Sequence, residues 1–349
     1  MPTSKEAKSK KARIYRGTAR NLARLAGVLR DGGIVAVPTE TVYGLAGDAL
    51  NPAACRKIFK AKGRPANDPL IVHIHAVAQL DELADRNDAV EKIARAFWPG
   101  PLTMVLPKKA VVPDLVTSGR PSVAVRMPKH RLFLKLLKRC GRPLAAPSAN
   151  PFGYISPTTA AHVSDSLGGK IGHILDGGDA EIGLESTILD LRDPKRPVVL
   201  RPGAISAREI ARVLGRPVGA ALKSAKSVRE GKRVEGTGAG ELAPGMLSKH
   251  YSPRTAITLH RRLSPKHVAG LPAEEAAVFI FKPAGVRAAK NVFWLSERGD
   301  LRLAARTLFG KLRALDQGNW RRIHAELAPG TDGFALAIND RLTRAAAKR

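Results

Sequence analysis

Between Pro38 and Gly47 the chain gathers three hydroxyl side chains, Thr39, Thr41 and Tyr43, around one acid, Glu40, and closes the stretch with Gly44 and Gly47. Further on come Lys62, Gly63, Arg64 and Pro65. An ammonium gives a point charge, a guanidinium a planar fork, and glycine leaves backbone N–H groups open to approach. Together these could hold a small polar anion outside the edge of a sheet. The residues alone leave a plainer reading open: two ordinary strand–helix connections with cations on their surface.

The elements that must position these groups are short apolar runs. Residues 34–37 read as a buried strand stopped by Pro38, residues 52–60 as a helix, and residues 70–74 as a second strand. In an extended loop after that helix, Lys62 and Arg64 would face the same side. Upstream, Leu22, Leu25, Ala26 and Leu29 recur at helical spacing before Gly32 and Gly33 end the helix. Strands are expected at 102–106, 123–127, 144–146, 171–175, 186–191 and 198–200, with helices at 88–97, 130–139, 158–165 and 206–214. This order is mixed rather than a strict strand–helix repeat, so the expected fold is α/β with a mixed, twisted sheet. Residues 254–349 read as a smaller, Rossmann-like α/β domain. Its strands are expected near 256–259, 277–281 and 292–294, and its helices near 301–314 and 337–347. The stretch 215–253, rich in Gly, Lys, Ser and Ala, reads as a linker, and residues 1–16 as a basic tail.

Length and composition set outer limits. The chain has 349 residues, enough for two domains, and no apolar stretch approaches membrane-spanning length. With two cysteines, Cys55 and Cys140, a disulfide framework is not expected and a cysteine-only zinc site is excluded. Cys55 should pack with Ile58 and Phe59 on the apolar side of its helix. The formal charge of +29 favours polyanionic partners, tRNA or other RNA among them. Yet the nine Phe and four Tyr are not interleaved with the basic residues, so no stacking platform for single strands is visible. Solvated charge explains the basicity equally well.

Nine blocks carry a more specific signal: the segment from Gly32 to His75, WPGPLTMVLPK, SVAVRMPKH, PLAAPSAN, SPTTAAHV, DGG with GLESTILDL, LRPGAI, APGMLSKHYSP and GFALAINDRLTRAA. In that order the chain resembles the threonylcarbamoyl-adenylate synthase family, a YrdC-like domain at 17–214, in the long form with a C-terminal Sua-type domain. The resemblance implies a nucleotidyltransferase that makes threonylcarbamoyl-adenylate from L-threonine, bicarbonate or CO2, and ATP. That product would feed modification of adenosine 37 in tRNAs reading ANN codons. A downstream threonylcarbamoyl transferase complex, a cytoplasmic setting, Mg2+ carried on ATP and no organic cofactor follow as expectations.

The resemblance also assigns residues. Thr41, His73, Arg126, the backbone at Ala146, and Ser186 are implied for the threonine pocket, with Arg126 gripping the carboxylate. Lys62, Arg64, Asp68, Ser122, Ser148, Asn150, Ser156, Arg201 and Ser248 are implied for ATP, with Lys62 and Arg64 the catalytic cations. Read alone, Arg126 could equally be a surface arginine in an ion pair, His73 a satisfied structural histidine, and Ser186 or Thr41 a turn residue. Two positions depart from the family. Asp68 stands where relatives often have Asn or His, and a carboxylate repels triphosphate unless Mg2+ lies between. Ser248 stands where some relatives have an aromatic, so adenine stacking is lost there. His250 and Tyr251 are expected to plug the site as part of a lid hinged on Gly236, Gly238 and Gly240. Two other functions fit parts of this pattern: carbamoyl-adenylate formation from carbamoyl phosphate, and RNA binding without ATP turnover.

Overall fold

The structure, a computed structural model, describes residues 11–221, 250–286 and 289–347. Among these residues eleven strands form one sheet: β1 (Arg13–Arg16), β2 (Val35–Val37), β3 (Gly44–Asp48), β4 (Ile71–His73), β5 (Leu102–Pro107), β6 (Ser122–Arg126), β7 (Leu144–Ala145), β8 (His173–Asp176), β9 (Thr187–Asp190), β10 (Val198–Arg201) and β11 (Gly219–Ala220). Their order across the sheet is β1-β8-β2-β3-β7-β4-β6-β5-β9-β10-β11. Parallel pairs such as β4/β6 and β5/β9 alternate with antiparallel ones such as β3/β7 and β5/β6, so the sheet is mixed as expected.

Three strands of this sheet differ from the sequence reading. Arg13–Arg16, assigned to the basic tail, pairs with β8 as an edge strand that buries Tyr15. Gly44–Asp48, read as the end of a loop, is a fully buried strand opposite β2. Glycine permits this closeness: a Cβ at Gly44 would lie 3.2 Å from the Ala146 Cβ, and one at Gly47 would lie 3.2 Å from Ile58 Cδ1. Gly219–Ala220, inside the expected linker, extends the sheet beside β10.

The helices bury one apolar face each. Helix α1 (Ala19–Arg30) is capped by the Thr18 hydroxyl and packs Leu22, Leu25, Ala26 and Leu29 inward. Helix α2 (Pro52–Lys62) starts on the Asn51 side-chain cap with Pro52 in its first turn and stops at Gly63 in the left-handed region, φ 61°. Cys55, Ile58 and Phe59 on its inner face join the main core, as the sequence reading placed them. The remaining helices of this half are α3 (Leu80–Leu83), α4 (Asp88–Phe97), α5 (Asp114–Thr117), α6 (Arg131–Cys140), α7 (Ala160–Leu167) and α8 (Ala207–Leu214).

Alternation along the strands divides the sheet's two faces. Val72, Met104, Leu106, Val123 and Val125 point into the main core. Ile71, Val105, Ala124, Ile188 and Leu200 form a small separate cluster on the other face. That second face carries the candidate site.

A second sheet, all parallel, has the order β12 (Ala256–His260), β15 (Arg322–Glu326), β13 (Glu275–Phe281), β14 (Val292–Ser296). Helix α9 (Pro265–Ala269) is short; α10 (Leu301–Gln317) and α11 (Gly333–Ala345) are long. The two halves share a core, in which Val42, Ile155, Leu184 and Tyr251 pack with Leu308, Phe309 and Leu312. Across the same boundary, Arg313 Nη2 donates to the Ile155 carbonyl at 2.5 Å, and the Tyr154 hydroxyl donates to Asp316 at 2.8 Å. At Gly183, φ 76°, a Cβ would fall 2.5 Å from the Arg306 Cα, so α10 rests directly on that backbone.

Candidate active site

Strands β4 and β6 end side by side, with His73 paired to Arg126 in register, and both side chains line the cavity on the face opposite the main core. The loop 38–43 arches over them. The Thr39 hydroxyl donates to the Val42 carbonyl at 2.6 Å and accepts from the Thr41 and Val42 amides at 3.1 Å, which fixes the loop as a hydroxyl-closed turn.

Arg126 sits at the centre of this network. Its Nε donates to the Gly100 carbonyl at 3.1 Å, its Nη1 to the Thr41 hydroxyl at 2.9 Å, and its Nη2 to Glu40 Oε1 at 2.6 Å. Arg126 is 4 % exposed and Glu40 2 %. The arginine is therefore in an ion pair, as the plainer reading allowed, but a buried one at the floor of the site. Three of its five N–H groups are used, leaving one on each terminal nitrogen. Glu40 Oε2, also buried, has no partner.

His73 lies beside Phe133, with ring centroids 5.5 Å apart, and its Nδ1 has no partner. Burial and the Arg126 charge push its pKa down to about 3, so the ring is neutral. Ser186, just before β9, shares its hydroxyl with Thr103 at 2.8 Å and accepts from Arg201 Nη2 at 3.1 Å. Arg201, ending β10, also clamps the Ser186 carbonyl through Nε and Nη2.

Lys62 and Arg64 do not share an extended loop. The helix runs on to Lys62 and ends at the left-handed Gly63, and the two side chains take different partners. The Lys62 ammonium donates to the carbonyls of Ser148 and Asn150, at 2.6 and 2.5 Å, tying the PSAN loop to the helix end. Burial first, then the Arg64 charge, drives its pKa well below the usual lysine value. Arg64 lines the cavity and bridges to Asp68 at 2.8 Å. Burial works against both charges of this pair, lowering the arginine and raising the carboxyl.

One cavity brings together Thr41, His73, Arg126, Ala146 and Ser186 with Arg64, Ser148, Arg201, His250 and Tyr251. Behind its wall, Asn150 ties residues 151 and 154 through its side-chain amide, and the Ser156 hydroxyl donates to Glu185 at 2.5 Å. Ser122 begins β6, at the far end of that strand from Arg126, and is not part of the cavity lining; nor are Lys62, Asp68, Asn150 and Ser156. Ser248 and the glycines at 236, 238 and 240 lie outside the described residues.

His250 and Tyr251 line the same cavity, and both are buried. Their rings meet edge to face at 4.1 Å, and Tyr251 stacks on Phe309 at 5.5 Å. Tyr251 has φ 63°, a conformation that costs a non-glycine residue about 1–2 kcal/mol and persists through the surrounding packing. Its buried hydroxyl has no partner, and burial, before any charge, raises its pKa to about 12. The same burial, with Arg64, Lys62 and Arg201 nearby, holds His250 well below the ordinary histidine value. The space left is about 40 Å3, room for a few waters and not for a nucleotide.

Two charged residues in or behind the lining were not singled out from the sequence. Glu185, in the GLEST block, faces the cavity and receives Arg341 Nε at 2.8 Å from α11. Burial alone would raise its pKa, but Arg341 and Arg201 hold it below the usual carboxylate value. Arg341 is fully buried, pairs also with Asp340 at 2.6 Å, and lies over the Tyr251 ring at 5.3 Å. The sequence signal for it is a charge on an apolar stripe: Ala337, Ile338 and Ala345 share its face of the helix.

Comparison with known proteins bears on the same two halves. The pattern of the family described as "Telomere recombination" matches residues 27–203, and that described as "Threonylcarbamoyl-AMP synthase, C-terminal domain" matches residues 205–347. The threonylcarbamoyl-AMP synthase of Pyrococcus abyssi is 42% identical over 334 residues, covering 93% of each chain. That of Bacillus subtilis is 39% identical over 94% of this chain and 93% of its own. The crystal structure of P. abyssi Sua5 complexed with L-threonine superposes with a TM-score of 0.83 at 38% identity, covering 96% of this chain and 98% of the other.

Proposed function

The chain belongs to the threonylcarbamoyl-AMP synthase family, and from that premise we propose that it joins L-threonine, bicarbonate as CO2, and ATP into threonylcarbamoyl-AMP, releasing pyrophosphate. The observation that supports this reading best is a single cavity with two kinds of wall. Thr41, His73, Arg126 and Ser186 line one side, and Arg64, Ser148 and Arg201 line another.

The chemistry makes three demands. The threonine amine must lose its proton and attack the carbon of CO2, giving a carbamate. A carbamate oxygen must then attack the α-phosphorus of ATP as the bond to the β-phosphate breaks. The leaving pyrophosphate must find cations. Positioning and electrostatics carry such a barrier, and no covalent nucleophile is needed.

In this reading the free N–H on each terminal nitrogen of Arg126 grips the threonine carboxylate, with Glu40 holding the guanidinium in place. Neutral His73 and the hydroxyls of Thr41 and Ser186 receive the amine and side chain without adding charge. Arg64 and Arg201 face the phosphates, and Lys62 shapes the PSAN loop from behind. Mg2+ enters as part of MgATP; Asp68 Oδ2, buried and without a protein partner, is a donor of the right kind for it. His250 and Tyr251 must swing out for ATP to enter, and on return they exclude water from a labile mixed anhydride. P. abyssi Sua5 has been crystallised with L-threonine, which supports the same amino acid here.

The product then supplies a threonylcarbamoyl transferase acting on adenosine 37 of tRNA, in the cytoplasm. No described helix is long and apolar enough to cross a membrane.

The test is pyrophosphate release from ATP with each component omitted in turn. Release that needs both threonine and bicarbonate is the expected result. Release unaffected by omitting threonine would overturn the reading, and dependence on carbamoyl phosphate would replace it.

A further inference from the structure

Away from the cavity, on the face of the second sheet opposite α10 and α11, three histidines from three elements converge. His260 ends β12, His324 lies within β15, and His267 sits on α9. The register places Thr258 beside His324, so His260, two residues on, shares its face and stands diagonal to it. One ring nitrogen from each of the three lies within 4.8 Å of the other two. The His260 Nε2 to His324 Nδ1 distance is 2.9 Å, and the ring centroids are 4.7 to 5.4 Å apart.

We propose that His260, His267 and His324 form a binding site for a first-row transition-metal ion of the Zn2+ type, with Glu275 orienting His324 from behind. Glu275 Oε2 receives His324 Nε2–H at 2.8 Å, while Arg321 occupies its other oxygen. That hydrogen bond leaves Nδ1 of His324 as an acceptor aimed at the cluster, where it receives His260 Nε2–H at 2.9 Å, the proton a bound metal ion would displace. A carboxylate behind a histidine is the arrangement that sets ring orientation and raises basicity at metal sites.

The donor set selects the ion. Three imidazoles suit Zn2+, Ni2+, Cu2+ or Co2+, whereas Mg2+ and Ca2+ demand oxygen. Bonds of about 2.0–2.1 Å in a tetrahedral site separate ligand nitrogens by about 3.3 Å, more than the 2.9 Å between His260 and His324 and inside the 4.8 Å that bounds all three. Exposed His267 and buried His324 leave the fourth position to water on the solvent side.

The test uses the full chain without a polyhistidine tag, stripped with a chelator and titrated with Zn2+ against a chromogenic chelator. One Zn2+ per chain should bind, unaffected by excess Mg2+. His260→Ala and His324→Ala should each weaken it at least about 100-fold, and Glu275→Gln about 10–100-fold, while His130→Ala leaves it unchanged. Zn2+ should raise the Tm of the wild type and not of the His260→Ala/His324→Ala variant. Co2+ bound to the wild type should show the intense visible bands of tetrahedral nitrogen coordination, which decides the matter even if a variant fails to fold. Absence of stoichiometric binding, or equal affinity in the double variant, would overturn the proposal.

Discussion

Arg341 Nε lies 2.8 Å from Glu185 Oε2, so a helix packed on the second sheet supplies the counter-charge for a carboxylate lining the cavity on the first. Burial would disfavour either charge alone, yet Glu185 is held ionised by its cationic neighbours. Truncating one partner of such a pair typically costs about 3–5 kcal/mol. Arg341→Ala should therefore lower the Tm clearly and reduce threonine-dependent pyrophosphate release. Replacing both groups, Glu185→Gln with Arg341→Met, should recover most of the stability but not the activity. Thermal unfolding beside the activity assay separates the two effects, and an unchanged Tm for Arg341→Ala would refute the structural half of this account.

Arg126 should behave differently. Losing a buried, charge-assisted grip on the substrate costs about 2–5 kcal/mol, so Arg126→Ala should raise the threonine KM by more than about tenfold. Arg64→Ala should instead raise the KM for ATP. Steady-state kinetics with each substrate varied in turn checks both, and an unaltered threonine KM would remove Arg126 from the pocket.

The histidines predict a loss of stability in acid. His73 has a folded pKa of about 3 against an ordinary value of 6.5. Above 6.5 it is neutral in both states and contributes no pH dependence. Below 6.5 the unfolded chain takes up a proton that the folded chain refuses until near pH 3. Stability thus falls by up to about 1.4 kcal/mol per pH unit, or about 2 kcal/mol by pH 5. His250, also depressed, adds in the same direction. His73→Gln should flatten the decline in Tm between pH 7 and pH 5, and parallel curves for the two proteins would contradict the assignment.

Tyr251→Phe removes a buried hydroxyl that has no protein partner. An unsatisfied buried polar group costs about 1–3 kcal/mol, so the variant should be at least as stable as the wild type. If the hydroxyl serves the substrates, the same variant should lose at least about tenfold in kcat/KM. A stable and fully active variant would make Tyr251 a plug by its ring alone.

How far the sequence revealed this arrangement depended on the strand. β2, β4 and β6 are compact apolar runs bounded by proline or polar residues, and they were readable as such. β3, Gly-Leu-Ala-Gly-Asp, looks like a turn because the closeness of its neighbours demands glycine. β15, Arg-Ile-His-Ala-Glu, escaped because only Ile323 and Ala325 face the core, while its other face carries Arg322 and His324. In the site, Thr41, His73, Arg126 and Ser186 were reached through the family resemblance. The partnerships were not: Glu40 with Arg126 and Glu185 with Arg341 join residues 86 and 156 positions apart. Spacing along a chain gives no sign of such pairs. Lys62 was misplaced because its helix runs two residues further than its apolar pattern requires.

The separation of Glu185 from Arg341 also sets a clock on biosynthesis. Domains generally fold from the N-terminus as the chain emerges at about 5–20 residues per second. With 156 residues between the two, Glu185 is made about 8–30 s before its counter-ion. During that interval the nascent Glu185 must stay hydrated or take up a proton, so the wall it belongs to cannot close. Until α11 arrives, the acidic wall of this cavity lacks the guanidinium that neutralises it.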